Sequence, residues 1–353
     1  MALDLSLVRA STQAANDLVE TLLVDLNAVL WRHEESDSDG YDLRDYVLGA
    51  AEAVELNLQS ASVHWKTYRE VRYAQDRAFL MNISNLGRPN NEHAEPREAE
   101  RAAQMRAAQQ GIFVTLGAAM DCLAAVLVAI AGIGTDVQRA DFQMLLPKAG
   151  ATGFPSNGAS QALKKGLAPE GTRLRELQTR LLQGLHAAVA ASGPDGWMTW
   201  LLAMRNTSVH RERRMEITSF PHSPRKGFKV QRLMPANPHM SNMQAMRTSQ
   251  DELANLYLHE DALDTFEGII RGVDSTVVGT DAVALQGWQE RRMALDIVVP
   301  RSGQWADPRV MTFKGFAPGT AELVNTPGSA MHINPRDAAR MKAGRLFDDQ
   351  RES

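Results

Sequence analysis

Residues 111–134, "GIFVTLGAAMDCLAAVLVAIAGIG", form a nearly unbroken apolar run of 24 positions. A helix that is apolar all round must be covered all round, either by lipid or by other helices. Its length suits a bilayer. Asp121 near its middle opposes that solution, because a carboxylate at the bilayer centre costs roughly 2.5–3.5 kcal/mol on an insertion scale. Ala and Gly also contribute less to insertion than Leu or Phe. The run is therefore expected to be the central helix of a soluble bundle, and no other segment looks like a span.

The rest of the chain supplies partners for such a helix. Hydrophobic residues make up 44% of the 353, enough for a sizeable core, while aromatics are only 6%. That balance suits an all-α fold built on Ala, Leu and Met better than a β fold. Leu18, Val19, Leu22, Leu23, Leu26, Val29 and Leu30 recur at helical spacing within 11–32. Val47, Ala50, Val54, Leu58, Ala61, Trp65 and Tyr68 mark a second helix from about Leu43 to beyond Tyr68. The third begins near Arg97 and ends at the glycines 132 and 134. "DVQRADFQMLL" reads as a short amphipathic piece. A helix over 170–191 and another from Trp197 to about Met215 flank the break "SGPDG".

After Glu216 the texture changes. Residues 217–247 are rich in Pro, Met and Asn, with "FKVQRLM" as a strand candidate. "SQDE" at 249–252 has the capping-box pattern and predicts a helix to about Arg271. A further helix is expected over 280–295, strand candidates near 309–316, and a short helix from Pro335 to about Phe347. The organisation expected is a helical bundle over 1–215, a Pro/Met-rich basic connector over 216–248, and C-terminal helices with a loop-rich tail over 249–353, packed on the bundle.

The chain carries one cysteine, Cys122, which excludes a disulfide framework and argues against a cysteine-based zinc site. The N-terminus lacks a basic region followed by a long apolar stretch, so no signal peptide is read. Together these suggest a reducing, cytoplasmic setting. There is neither a phosphate-binding loop of the G-x-x-x-x-G-K type nor a G-x-S-x-G elbow, so nucleotide hydrolysis and hydrolase-elbow chemistry have no support.

The chemistry-bearing stretch is "MRNTSVHRERR", Met204 to Arg214. On a helix, Asn206 and His210 share a face, and Arg205 sits roughly 140° around from His210. Histidine can pass a proton near neutral pH, and arginine offers a planar fork of donors to a phosphate. Asparagine can orient either. This set suffices for metal-independent RNA cleavage, in which the RNA's own 2′-hydroxyl attacks the adjacent phosphorus and the site moves protons and steadies charge. The bland alternative is a solvated basic helix end, where cations are favoured by the helix dipole.

Arg205-Asn206-x-x-x-His210, late in a helical bundle, resembles the signature motif of the HEPN superfamily. The resemblance rests on residues 205–210 by motif and on about 40–215 by architecture. It implies an all-α bundle, a homodimer with two motifs facing one cleft, and a metal-independent endoribonuclease of toxin–antitoxin, abortive-infection or CRISPR-linked defence. Arg205 and His210 are then catalytic and Asn206 supports them. No cofactor is implied. The expected partners are RNA, a second copy of the chain, and a protein partner or antitoxin. The segment after 216 departs from a minimal domain of that family.

Local charge is compatible with RNA. Between Arg205 and Arg232 lie eight Lys or Arg against two acids, a local net of +6 in a chain of net −4. Arg211, Arg213, Arg214, Arg225, Lys226 and Lys229 are the candidate phosphate contacts, and Phe220 and Phe228 could stack bases. Asp121 needs a partner if buried, and is either a support for Arg205 or His210 or a structural pair with another arginine. His259, Glu260, Asp261 and Asp264 lack a matching second cluster and read as an exposed helix face rather than metal ligands. Methionines 215, 234, 240, 243 and 246 suit an adaptable packing surface. The alternative to a nuclease is a non-catalytic helical protein that binds RNA or a partner through 217–247 and the tail.

Overall fold

The computed structural model describes residues 6–25, 37–86, 96–148, 152–210, 217–223, 227–240, 256–294, 316 and 334–343. Within these, long helices pack as a bundle and the strands are few and short, so the fold is all-α. The helices are α1 (Arg9–Val24), α2 (Asp37–Leu86), α3 (Pro96–Ala131), α4 (Gln161–Gly166), α5 (Arg173–Ala191), α6 (Trp197–His210), α7 (Ala262–Arg291) and α8 (Pro335–Ala343).

The apolar run lies in α3, the centre of the bundle. From Leu123 to Ile130 no residue is more than 3% exposed. Helices α2, α5, α6 and α7 surround it, and α2 lies along most of its length. The covering demanded by this helix is supplied by protein, and its most apolar window is mostly buried. Ahead of Leu123, α3 keeps a half-exposed stripe, Gly111, Val114, Thr115, Ala118, Asp121 and Cys122.

The end of α3 is built as tightly as its middle. Gly132 has a positive φ of 60°, its N–H bonds Ala129 O at 3.2 Å, and Ile133 N–H bonds Val128 O at 3.1 Å. These two bonds close a Schellman turn, for which glycine is the favoured residue. Arg291 of α7 reaches the same place. Its Nη1 donates to Ala129 O and, at 2.7 Å, to Ile130 O. The guanidinium is 1% exposed. Burial pushes its pKa down to about 9, and the negative end of the α3 dipole is the countercharge available to it. Gln178 completes the cap, donating to Gly132 O at 2.9 Å and accepting from Ala168 N–H at 2.8 Å.

Three expectations are revised. First, α2 begins at Asp37, ahead of the expected start near Leu43; its expected run beyond Tyr68 ends at Leu86. The buried face continues through Arg72, Gln75, Phe79 and Ile83, so polar residues occupy helical positions where the apolar pattern fails. Second, "DVQRADFQMLL" forms two 3-10 turns, Val137–Arg139 and Phe142–Leu145. Asp136 and Asp141 cap them through bonds from Gln138 N–H and Met144 N–H. Third, 262–271 and 280–291, expected in separate helices, lie in one helix, α7, with Asp261 as its N-cap. Its internal glycines are contact points: a Cβ on Gly272 would lie 2.9 Å from the Trp197 ring, and one on Gly279 would lie 3.0 Å from Ala188. The capping-box residues 249–252 and the strand candidates near 309–315 lie outside the described residues.

The strand candidate is real but divided. Strand β1 (Ile217–Ser219) pairs antiparallel with β4 (Gln231–Leu233), Ile217 opposite Leu233. Inside them β2 (His222–Ser223) pairs with β3 (Gly227–Phe228), His222 opposite Phe228. Helix α8 is tied to α2 by ion pairs from Arg336 and Arg340, and α1 is held between α2 and α7 by bonds such as Ser11 N–H to Asp274 at 2.9 Å and Trp288 Nε1 to Asp25 at 2.8 Å.

Gly132→Ala should cost about 1–3 kcal/mol in chemical denaturation. It loses the left-handed turn, and its Cβ would sit 2.7 Å from Arg291 Cζ. Asp281 of α7 gives a second expectation. Burial, with Asp17 of α1 adding to it, raises its pKa to about 6. A carboxyl raised above its unfolded value of about 4 stabilises when protonated, so that contribution is full below pH 4 and lost as pH rises through 6. Asp281→Asn should therefore raise the melting temperature at pH 7.5, by an effect of about 1 kcal/mol after allowing for partial exposure, and leave it nearly unchanged at pH 4.

Candidate functional site

Helix α6 is positioned before its polar end is reached. Gly196, at φ 81°, turns the chain out of "SGPDG", and Trp197 Nε1 donates to Val189 O of α5 at 3.0 Å. Trp197, Met198, Leu201, Leu202 and Met204 are buried. On the other side, Trp200 Nε1 donates to Pro235 O at 3.1 Å and Thr207 Oγ1 to Pro238 O at 3.3 Å, so the segment after the hairpin is tied along α6. Gln110 of α3 donates to Ser208 O at 3.2 Å.

This seating carries Arg205 across α3. Its side chain lies over Gly117, where a Cβ would be 2.3 Å from Arg205 Cδ. One turn further along α3, Asp121 takes an ion pair from Arg205 Nη1. Arg205 Nε donates to Asn206 Oδ1 at 3.1 Å. The second oxygen of Asp121 accepts from Phe142 N–H at 3.0 Å, so the carboxylate joins α3, α6 and the second 3-10 turn. Arg205 and Asp121 are 22% and 25% exposed. The pair sits at the half-exposed stripe of α3, open to solvent on one side.

The structure thus brings together Arg205, Asn206 and Asp121. His210 is the last residue of α6, one turn beyond Asn206; its side chain lies outside what is described. Arg211, Arg213, Arg214, Arg225 and Lys226 also lie outside the described residues. Lys229 is exposed and lines a different opening, a cleft of about 310 Å³ between α2, the hairpin and the start of α7. Phe220 packs edge-on against Phe79 of α2, with ring centroids 5.8 Å apart, whereas Phe228 is exposed beside His222. Cys122, next to Asp121, is half-buried; burial first and Asp121 second push its thiol up to about 11.

Below the Lys229 cleft lies a buried ionic centre. Arg72 of α2 bonds Asp76 at 2.7 Å and Asp261 at 2.8 Å. Asp261 also accepts from Leu263 N–H at 2.9 Å and from Arg232 N–H at 3.1 Å, and Arg232 Nη2 donates to Gln75 Oε1 at 2.6 Å. Burial alone would raise the Asp261 pKa, but the bonds from Arg72, Leu263 and Arg232 bring it below the ordinary value. Asp76 is held above its ordinary value by burial, against Arg72 and Arg232. Asp261 is therefore a buried anchor 7% exposed, not part of an exposed helix face. Its place ahead of "ALD" is an N-cap signal, and Arg72 continues the α2 stripe four residues after Tyr68. Both signals were present in the sequence.

His64, half-buried on α2, was not a sequence candidate. Its ring occupies the space a Cβ on Gly111 would take, and burial lowers its pKa. Gly111 and Gly117 are six residues apart, about 9 Å along α3 and roughly 120° around it. His64 and Arg205 therefore approach α3 from different sides. Among the described residues, no group of three or more His, Cys, Asp or Glu side chains is placed to hold a metal ion.

Gly117→Ala tests how tightly Arg205 is seated. In an ordinary helix it would stabilise by about 1 kcal/mol. Here it should destabilise, and in an Arg205→Ala background it should become stabilising, a change of sign readable by chemical denaturation.

Comparison with models of protein families, with curated proteins and with solved structures finds no match.

Proposed function

We propose that the chain is a metal-independent endoribonuclease resembling the HEPN superfamily, acting in the cytoplasm of a prokaryote in toxin–antitoxin or anti-phage defence. The observation that carries this reading is the setting of Arg205. Asp121 and Asn206 hold two edges of its guanidinium, and Nη2 makes no hydrogen bond among the described residues. An arginine fixed in this way and still partly exposed is prepared to receive a phosphate without losing further freedom.

In the proposed reaction the 2′-oxygen of the RNA attacks the adjacent phosphorus and the 5′-oxygen of the next nucleotide leaves. The products are a 2′,3′-cyclic phosphate and a free 5′-hydroxyl. Arg205 steadies charge on the phosphoryl oxygens. His210 moves a proton, from the attacking hydroxyl or to the leaving oxygen, and Asn206 orients. Asp121 positions Arg205 without touching substrate. A second copy of the chain, docked beside the half-exposed stripe of α3, would supply the second motif of a shared cleft.

A second reading is favoured by the other oxygen of Asp121. Bonded to Phe142 N–H, it makes the Arg205–Asp121 pair a strut between three elements, which a non-catalytic RNA- or partner-binding protein would equally need. Cleavage of a mixed RNA pool in EDTA separates the two. On the nuclease reading, wild type leaves cyclic-phosphate ends, and His210→Ala and Arg205→Ala lose at least a hundredfold in rate while circular dichroism is unchanged. Equal rates in all three proteins, or no cleavage by any of them with and without candidate partners, would favour the strut.

A further inference from the structure

The C-terminal helix α8 touches the bundle in an unusual way for so short an element. Nine residues do not hold a helix in water by themselves. The side of α8 that meets the bundle is led by Arg336 and Arg340, four residues apart and so on one face. Arg336 Nη1 bonds Glu55 at 2.6 Å and lies 3.8 Å from Glu52, and its Nη2 donates to Asn16 of α1 at 2.6 Å. Arg340 pairs with Asp45 at 2.9 Å, donates to Asp45 O at 3.1 Å, and lies 3.6 Å from Glu52.

The receiving surface fits this pattern. Asp45, Glu52 and Glu55 form an acidic ridge on α2, and Glu20 of α1 adds to the field at Arg336. The bond from Glu55 leads the causes that raise the Arg336 pKa, against partial burial. Between the acids, Gly49 leaves a notch in which Arg340 lies; a Cβ there would be 2.9 Å from Nη2. Glu52 and Glu55 are only 12% and 13% exposed while α8 is in place. Without it, Glu52 and Glu55 would face solvent beside the already exposed Asp45 and Glu20, and Asp45, Glu52 and Glu55 would lose the arginines paired with them.

We propose that this ridge is a docking site for a helix bearing two arginines one turn apart, and that α8 is the chain's own occupant, a latch that yields to a partner helix of the same charge pattern. Contacts of this kind are screened by salt and individually weak when partly exposed. They select a partner by charge spacing while letting it exchange. The proposal is independent of the ribonuclease reading.

Two measurements on the full-length chain test it. The first is hydrogen exchange of the α8 amides in wild type, in Arg336→Glu/Arg340→Glu, and in that variant combined with Glu52→Arg/Glu55→Arg. Protection should fall at least tenfold on raising sodium chloride from 0.1 to 1 M and in the first variant, and should recover in the charge-swapped one. The second is binding of a fluorescent synthetic peptide of sequence "NPRDAARMKAG". It should bind Arg336→Glu/Arg340→Glu at least tenfold tighter than wild type, whose ridge is occupied, and should not bind Glu52→Arg/Glu55→Arg. Salt-independent protection, failure of the charge swap to restore it, or equal or absent peptide binding across the proteins would overturn the proposal.

Discussion

A helical stretch with no polar side has to be surrounded, and Leu123–Ile130 of α3 sets that requirement for the whole molecule. Four other helices pack on α3, Leu123 to Ile130 is buried, and the end of the helix needs as much provision as its sides. Its last carbonyls emerge in the interior, where unpaired backbone oxygens are costly. Gly132 turns the chain back on itself, and Arg291 and Gln178 satisfy what remains. A cation buried at that point is tolerable because a helix C-terminus is where positive charge is favoured.

Close packing around α3 depends on the absence of side chains at chosen points. Gly117 admits Arg205, Gly111 admits His64, and Gly272 and Gly279 let α7 approach Trp197 and Ala188. Each glycine weakens its own helix by about 1 kcal/mol relative to alanine. The tertiary contact made through the gap offsets that loss. The buried Arg72–Asp261–Arg232 centre works by the same exchange. Its charges are desolvated, and mutual bonding plus the N-cap of α7 compensate.

The Arg205 site inherits its geometry from these constraints. Asp121 interrupts the apolar run at the edge of the enclosed region, where α3 still has a half-exposed side. It requires a partner there, and α6 provides Arg205, the first residue of the RNxxxH motif. The pair is therefore a support for the fold, and on the proposed reading it also serves phosphate chemistry.

The sequence by itself determined the all-α class and the position of α3, because apolar periodicity and composition are local properties. The limits of α3 and α5 were also legible, since breaks such as "SGPDG" carry their own turn chemistry. The N-terminal half of α2 was legible from its stripe. Its continuation past Tyr68 follows the same stripe, but the burial of the polar Arg72 and Gln75 was not legible, because their partners Asp261 and Arg232 are remote in sequence. The single helix α7 was not legible either: the stretch between its two expected parts is helical, and its Gly272 and Gly279 lie against Trp197 and Ala188 of other helices. Arg205, Asn206 and His210 could be picked out as a motif, and Asp121 as a carboxylate in need of a partner. Only the tertiary structure paired Asp121 with Arg205 and set Lys229 at another cleft, because side chains 84 residues apart meet through helix packing, which no local pattern encodes.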